Sequence, residues 1–348
     1  MTSEPPGWSS PGGGGWSAPN PAPAPPPGYF PPRPPEVRPG VVPLRPLGVG
    51  EIIDGAISTM RRHWKLQLGL SAVVVTAVSI LQSGALWLLY RDPAALESGD
   101  ITGPDTASPS AAANFAQLIT VVVGQLAQMV LLGILVFVVS RAVLGEDVTP
   151  SQAWAAVKPR LWRLIALSVL IMLLMGVVIG AAVLLTVIVA VAGAPTVAVV
   201  VAGVVSGLIA VPAAIFLWVR LGVAAPTLVL ERTTIRGAMR RSSRLVRRSW
   251  WRVFGILLLS LMMSSILSGI ISLPFTAFAF WFGDFDFDGN EPPNVWFYVL
   301  STLGSSVAGA LTYPFTAGVA ALLYIDLRMR REALDITLVR SARAGGSS

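Results

Sequence analysis

Few residues in this sequence could do chemistry. It holds one histidine, His63, and no cysteine. That excludes a disulfide, a thiolate nucleophile and any His/Cys metal centre, since such sites need several soft ligands at set spacings. His63 lies in Arg62-His63-Trp64-Lys65, a membrane-interface setting with no second His or Cys to complete a dyad. Asp284-Phe285-Asp286-Phe287-Asp288-Gly289 matches the first half of a calcium loop. The twelfth position, which should be a bidentate Glu, is Val295, and Pro292-Pro293 intervene, so an acidic external loop is expected instead. No metal, no cofactor and no catalytic residue is expected.

Two patterns remain. Gln117, Thr120, Gly124, Gln125 and Gln128 fall within about 140° of arc at 100° per residue and form the one polar stripe expected inside a hydrophobic segment. The preferred reading is an interhelical hydrogen-bonding face; the other is a face lining a path for a solute. Between residues 236 and 252, seven arginines (Arg236, Arg240, Arg241, Arg244, Arg247, Arg248 and Arg252) surround an apolar stripe of Ile235, Ala238, Met239, Leu245, Val246 and Trp250. Such a helix, lying parallel to the membrane, recognises anionic lipid at ~1 kcal/mol per basic residue, or else holds its loop on one side. Nucleic acid is not an expected partner.

These residues are carried by a chain that must live in lipid. Charged residues make up 12% of 348 and the mean hydropathy is +0.70, too apolar for a water-facing surface. Six stretches exceed the ~18 residues needed to cross a bilayer: Leu66–Tyr90, Asn114–Ser140, Leu164–Val191, Thr196–Trp218, Val253–Trp281 and Val295–Tyr324. None contains an ionisable side chain, which argues against proton- or ion-coupled transport. An intramembrane enzyme would have only Ser, Thr, Gln and Tyr to work with. A turn at Ala192–Pro195 must separate spans three and four.

Lysine and arginine cluster before spans one, three and five and after span six, while acids fill the opposite loops. The positive-inside rule then places both termini in the cytoplasm of a cell-membrane protein. Residues 1–43 are Pro/Gly-rich and expected to be disordered, as are 337–348; the membrane domain is 44–336. Pro26-Pro27-Gly28-Tyr29 has the form of a WW-domain ligand but arises readily from such a composition. Each pair of spans follows an amphipathic stretch: Ile52, Ile53, Ala56, Ile57, Met60 and Trp64 before the first, a capping box at Thr149-Pro150-Ser151-Gln152 before the second, and the arginine helix before the third. The expected fold is all-α: a polytopic bundle of six transmembrane helices, built as three repeats of interfacial helix plus membrane hairpin. Gly176, Gly180, Gly203, Gly207 and the four-residue serine spacings of spans five and six should let helices pack closely. Pro212, Pro274 and Pro314 should kink their spans, statically rather than as hinges.

Arg45-Pro46-Leu47, Gly50-Glu51-Ile52-Ile53-Asp54-Gly55, Pro226 to Glu231, Arg241-Ser-Ser-Arg244-Leu-Val246, Trp251-Arg252-Val-Phe-Gly255 and, most specifically, Tyr324-Ile-Asp326-Leu-Arg328-Met-Arg330-Arg331-Glu332-Ala-Leu-Asp335-Ile336 together resemble bacterial, largely actinobacterial, integral membrane proteins related to the membrane domain of glycerophosphoryl diester phosphodiesterases. The resemblance spans about residues 45–336 and implies a membrane module. The catalytic barrel of some relatives needs paired histidines and carboxylate metal ligands, and the chain stops at Ser348, so that activity is not expected. The resemblance draws attention to Glu51, Asp54, Glu231, Asp326, Arg328, Glu332 and Asp335 as an ion-pair network that clamps the three repeats at the cytoplasmic face. The leading expectation is a non-enzymatic scaffold, assembly partner or anionic-lipid-binding protein, with membrane lipids and a membrane protein as partners. The alternative is a transporter or flippase-like protein for a neutral or lipid solute.

Overall fold

A computed structural model describes residues 47–90, 111–143, 145–146, 148–284 and 293–332, with backbone alone at 89–90, 111–116 and 332. The Pro/Gly-rich segment, the WW-like motif, Asp286, Asp288 and Asp335 lie outside the described residues. The described chain is helical: α1 (Val49–Arg62), α2 (Trp64–Tyr90), α3 (Ala111–Val143), α4 (Pro150–Val157), α5 (Leu161–Val191), α6 (Thr196–Leu221), α7 (Ala224–Glu231), α8 (Ile235–Val246), α9 (Trp250–Phe282) and α10 (Val295–Glu332). Six of these segments are long and apolar enough to cross a membrane. At 1.5 Å per residue, α9 is about 50 Å long, close to a bilayer with its headgroups. Exposed Trp251 and Trp281 mark its two ends.

Local chemistry sets the boundaries. Val191 ends α5, Gly193 turns the chain with a φ of 73° that a side chain would resist, and Pro195 precedes α6. The turn between spans three and four is therefore built as the sequence indicates. At α4, the Gln152 amide N–H donates to the Thr149 hydroxyl and the Thr149 N–H donates to Gln152 Oε1, 3.0 Å away. Pro159 then tightens the chain into one 3₁₀ turn, Lys158–Arg160, because its ring cannot continue the α-helical ladder. The helices run through Pro212, Pro274 and Pro314.

The hairpins α2–α3, α5–α6 and α9–α10 each follow a short amphipathic helix, as expected, yet they are not equivalent in space. Helix α10 is the central post. It packs against α9, α2, α1 and α3, and its stretch from Ala317 to Leu323 is almost wholly buried. Gly304 meets Phe275, Gly309 meets Val75 and Tyr313, and Gly318 meets Ala56 on α1. A second core joins Ile134 and Val138 of α3 to Ala153 and Val157 of α4, Leu164 and Leu167 of α5, and Leu228 of α7. Helix α7, which the sequence reading did not separate from the loop after span four, is buried on every side over Ala224–Val229.

The α5–α6 hairpin stands at the periphery. Gly176 and Gly180 are exposed and have no neighbouring group at their Cα, and Gly207 likewise faces open space. The expected close packing through these glycines is therefore corrected. Of the four expected to pack closely, Gly203 alone has the facing helix against it: it meets Thr186, whose hydroxyl lies 3.3 Å from that of Ser206, beside an open groove of ≈ 420 Å³.

The two kinds of glycine should respond differently to substitution. A Cβ at Gly318 would lie 2.9 Å from the Ala56 Cβ and 3.1 Å from its Cα, so Gly318→Val should cost about 1–3 kcal/mol through overpacking. Gly176→Val should stay within about 0.5 kcal/mol. Thermal unfolding of the purified protein in detergent reads both; equal losses would contradict the central role of α10.

Candidate functional site

The helices α1, α4 and α8 and the loops rich in Lys and Arg gather at one end of the bundle, the basic end. The apolar stripe of each amphipathic helix is turned onto the protein. Ile52 and Ala56 of α1, Ala153 and Val157 of α4, and Ala238, Leu245 and Val246 of α8 are buried in the two cores. Trp64 departs from the α1 stripe: it starts α2 and is exposed. Residues 236–252 do not form one helix as expected. Helix α8 ends at Val246, and Arg247 to Ser249 turn the chain into α9.

That turn separates two populations of arginine. Arg241 and Arg252 are half-buried and bound to acids, whereas Arg236, Arg240, Arg244, Arg247 and Arg248 are exposed. None of these five makes an ion pair with a described residue. The Trp64, Trp162 and Trp251 rings are exposed at the same end, with Lys65 5.8 Å above Trp64 and Arg163 5.7 Å above Trp162. Arg160 donates to the Ala156 and Val229 carbonyls, at 3.1 and 3.2 Å, and so closes the C-terminal turns of α4 and α7. Burial, with Arg232 and Arg163 close by, lowers the Arg160 guanidinium below its usual range.

Two acids hold the basic end together. Asp326 on α10 is 0% exposed. It accepts from the Leu47 N–H at 2.9 Å, from Arg330 Nε at 2.9 and 3.1 Å, and from Arg252 at 3.3 Å. The Leu47 carbonyl accepts from both guanidiniums. A buried carboxylate is tolerated only when its lone pairs are filled in this way. On the other side of α10, Glu231 accepts from the Tyr324 hydroxyl at 2.7 Å and from Arg241 Nε at 3.1 Å, with Arg328 at 4.0 Å. Positions 324 and 328 lie about 200° from 326 and 330 on a helix, so α10 presents one node to each side.

The expected ion-pair network is thus two compact nodes built from Glu231, Asp326 and Arg328. Glu51 caps its own helix, accepting from the Gly48 N–H at 2.6 Å. Asp54 is exposed on α1 and pairs with no described residue. The Glu332 side chain and Asp335 lie outside the described residues.

The polar stripe of span two is also divided. Thr120 and Gly124 are buried, and the Gln82 amide of α2 fills the space beside Gly124. Gln128 lines a cavity of ≈ 270 Å³ between α2, α3, α9 and α10. Gln117 is half-buried and Gln125 is exposed. Gln125 is the far edge of the 140° arc, wider than the face that α3 turns to its neighbours, so it looks outward. The stripe also has a counterpart that the sequence reading missed. Helix α2 carries Gln67, Ser71, Ser79 and Gln82 at helical spacing, with Gln67, Ser71 and Ser79 buried. At the other end of the bundle, Asp284 is occupied by the Asn294 amide, 2.8 Å away, rather than standing free for a cation.

An asparagine at 326 keeps one acceptor oxygen but turns an NH2 donor toward Arg252 and Arg330 and leaves both guanidinium charges without their counterion. Asp326→Asn should therefore cost about 3 kcal/mol, in the range for breaking a buried pair. Glu231→Gln should cost about 1 kcal/mol, because its carboxylate is partly solvated. Denaturation in mixed micelles compares the two; an effect at Glu231 equal to or above that at Asp326 would reject the hierarchy.

No curated protein and no solved structure matches the chain. A family model described as a domain of unknown function, DUF7847, matches residues 47–327. The match begins at Leu47 and ends at Leu327, so it takes in Leu47, Arg252 and Asp326 of the buried node and stops three residues short of Arg330. The chain belongs to the DUF7847 family.

Proposed function

We propose that this protein is a non-enzymatic module of the cytoplasmic membrane, with both termini cytoplasmic, that binds anionic lipid at its basic end and serves as a scaffold or assembly partner for another membrane protein. One observation carries the reading. Five arginines, at 236, 240, 244, 247 and 248, are exposed and pair with no described acid, while the two that the fold needs are occupied by Glu231 and Asp326. Their neighbours are tryptophans of the kind that settle at a membrane–water boundary. Lipid phosphate is the anion available at that level, and guanidinium groups suit it. The peripheral α5–α6 hairpin, apolar over most of its outer surface, supplies a membrane-embedded face for a partner. The likeness to the membrane domain of glycerophosphoryl diester phosphodiesterases belongs to the same reading: it supplies a membrane module, and one histidine gives the chain no means to perform the barrel's hydrolysis.

Lipids that co-purify with the full chain in mild detergent provide the test. Anionic phospholipid should be enriched over the bulk membrane. Replacing Arg236, Arg240, Arg244, Arg247 and Arg248 together by Gln should lower that enrichment by at least tenfold, which needs only ~1.4 kcal/mol of the ~5 kcal/mol that five charges at ~1 kcal/mol each supply, without changing the elution profile. Undiminished enrichment in the variant would remove the proposal.

A further inference from the structure

The ≈ 270 Å³ cavity between α2, α3, α9 and α10 lies in the middle of the membrane. Ser79 is midway along the first span, Gln128 along the second, Ser268 along the fifth and Gly309 along the sixth. At that depth a polar side chain has no water to bind, and unmet hydrogen-bonding groups cost several kcal/mol. Natural membrane bundles therefore pair such groups with each other or with their own helix. Here Thr312 does so, donating to the Ala308 carbonyl at 3.0 Å, and Ser305 donates to the Thr302 carbonyl at 3.0 Å.

Five other groups that line the cavity do not. The Gln82 and Gln128 amides and the Ser83, Ser268 and Tyr313 hydroxyls make no hydrogen bond to any described residue, though they come from four different helices. One turn from Ser268 on α9, the Ser264 hydroxyl is buried and also without a partner. Unmatched polar groups converging on one empty space indicate a site that something else completes.

The chemistry of the wall limits what that can be. No lining residue carries a charge, so a charged ligand would meet no counterion in a low-dielectric setting. Two amides and three hydroxyls offer donors and acceptors together, which matches hydroxyl groups. The rest of the wall, including Val74, Val75, Val78 and Leu131, is apolar. Ser305, also part of the lining, is exposed, so the cavity reaches the side of the bundle at the level of the acyl chains. We propose that this cavity binds the uncharged, hydroxyl-bearing head of a neutral amphiphile that enters from the bilayer. The site is independent of the arginines at the basic end.

The experiment uses the full chain in phosphatidylcholine nanodiscs with a photoactivatable diacylglycerol as probe and peptide mapping of the adduct. Labelling should fall on the segments that line the cavity. It should drop about tenfold in the double variant Gln82→Leu/Gln128→Leu, the effect of losing a few net hydrogen bonds. It should persist in Gln125→Leu, which alters an exposed neighbour. Ser268→Phe fills the space from α9 without touching either amide and should abolish labelling independently. Labelling confined to α5–α6, or undiminished in both cavity variants, would overturn the proposal. So would displacement by sorbitol, which would assign the site to a soluble polyol, or by phosphatidylglycerol, which would assign it to a charged headgroup.

Discussion

Lipid tails are as apolar as leucine, so burial gives membrane helices little reason to stay together once they have inserted. Something else must select one arrangement, and in this protein it is the set of contacts made by α10. Along the membrane its glycines let Phe275, Val75 and Ala56 approach closely. At the basic end Asp326 gathers two sequence-distant elements, Leu47 where the chain enters the first repeat and Arg252 at the start of α9, and is joined by Arg330 one turn further along α10 itself. Dispersion sets the distance between helices, and the buried carboxylate sets their register. Neither would suffice alone, since close packing tolerates sliding by a turn whereas a carboxylate with filled lone pairs does not.

The same node explains the division of labour among the arginines. A helix with seven basic residues looks uniform in sequence, and its spacing suggests one membrane-parallel face. In space Arg241 and Arg252 lie on the side turned to the bundle, and each meets an acid there. The remaining five are exposed because the apolar stripe of α8 faces the bundle. Positive charge without a partner at a membrane boundary is thus a consequence of how α8 docks, and lipid binding is what that surplus can do.

Much of the architecture was legible because membranes leave few choices. Span number, hairpin order, the Ala192–Pro195 turn and the Thr149 cap all follow from hydropathy, glycine and proline positions, and capping chemistry. The resemblance also drew attention to Glu231 and Asp326 as acids that pair with the arginines of the basic end. What the sequence did not reveal is which hairpin is central. Gly176 and Gly180 look like packing glycines as much as Gly309 and Gly318 do, yet they face outward, because nothing in a local pattern says which face another helix will cover. Helix α7 was missed for the same reason: Ala224–Val229 are buried because α3, α5, α8 and α10 pack around them, a long-range circumstance. The cavity escaped detection because its polar groups are divided among four helices. Gln128 belonged to a recognised stripe, and Ser268 and Ser305 to serine spacings read as packing faces; Gln82 and Tyr313 were not singled out.

These observations give the two halves of the molecule different roles. The first and third hairpins, joined through α10, carry both the acid nodes and the mid-membrane cavity. The second hairpin is attached to them where α5 meets α3 and where α6 meets α8 and α9, and much of its outer length is exposed. Two of the helices that line the cavity also touch that hairpin. Helix α3 packs against α2, α10, α5 and α7, and α9 packs against α10 and α6, where Trp250 stacks on Phe216. Gly133 sits at the first of these junctions, with Leu164 of α5 and Val229 of α7 against its Cα, two turns or fewer from Gln128.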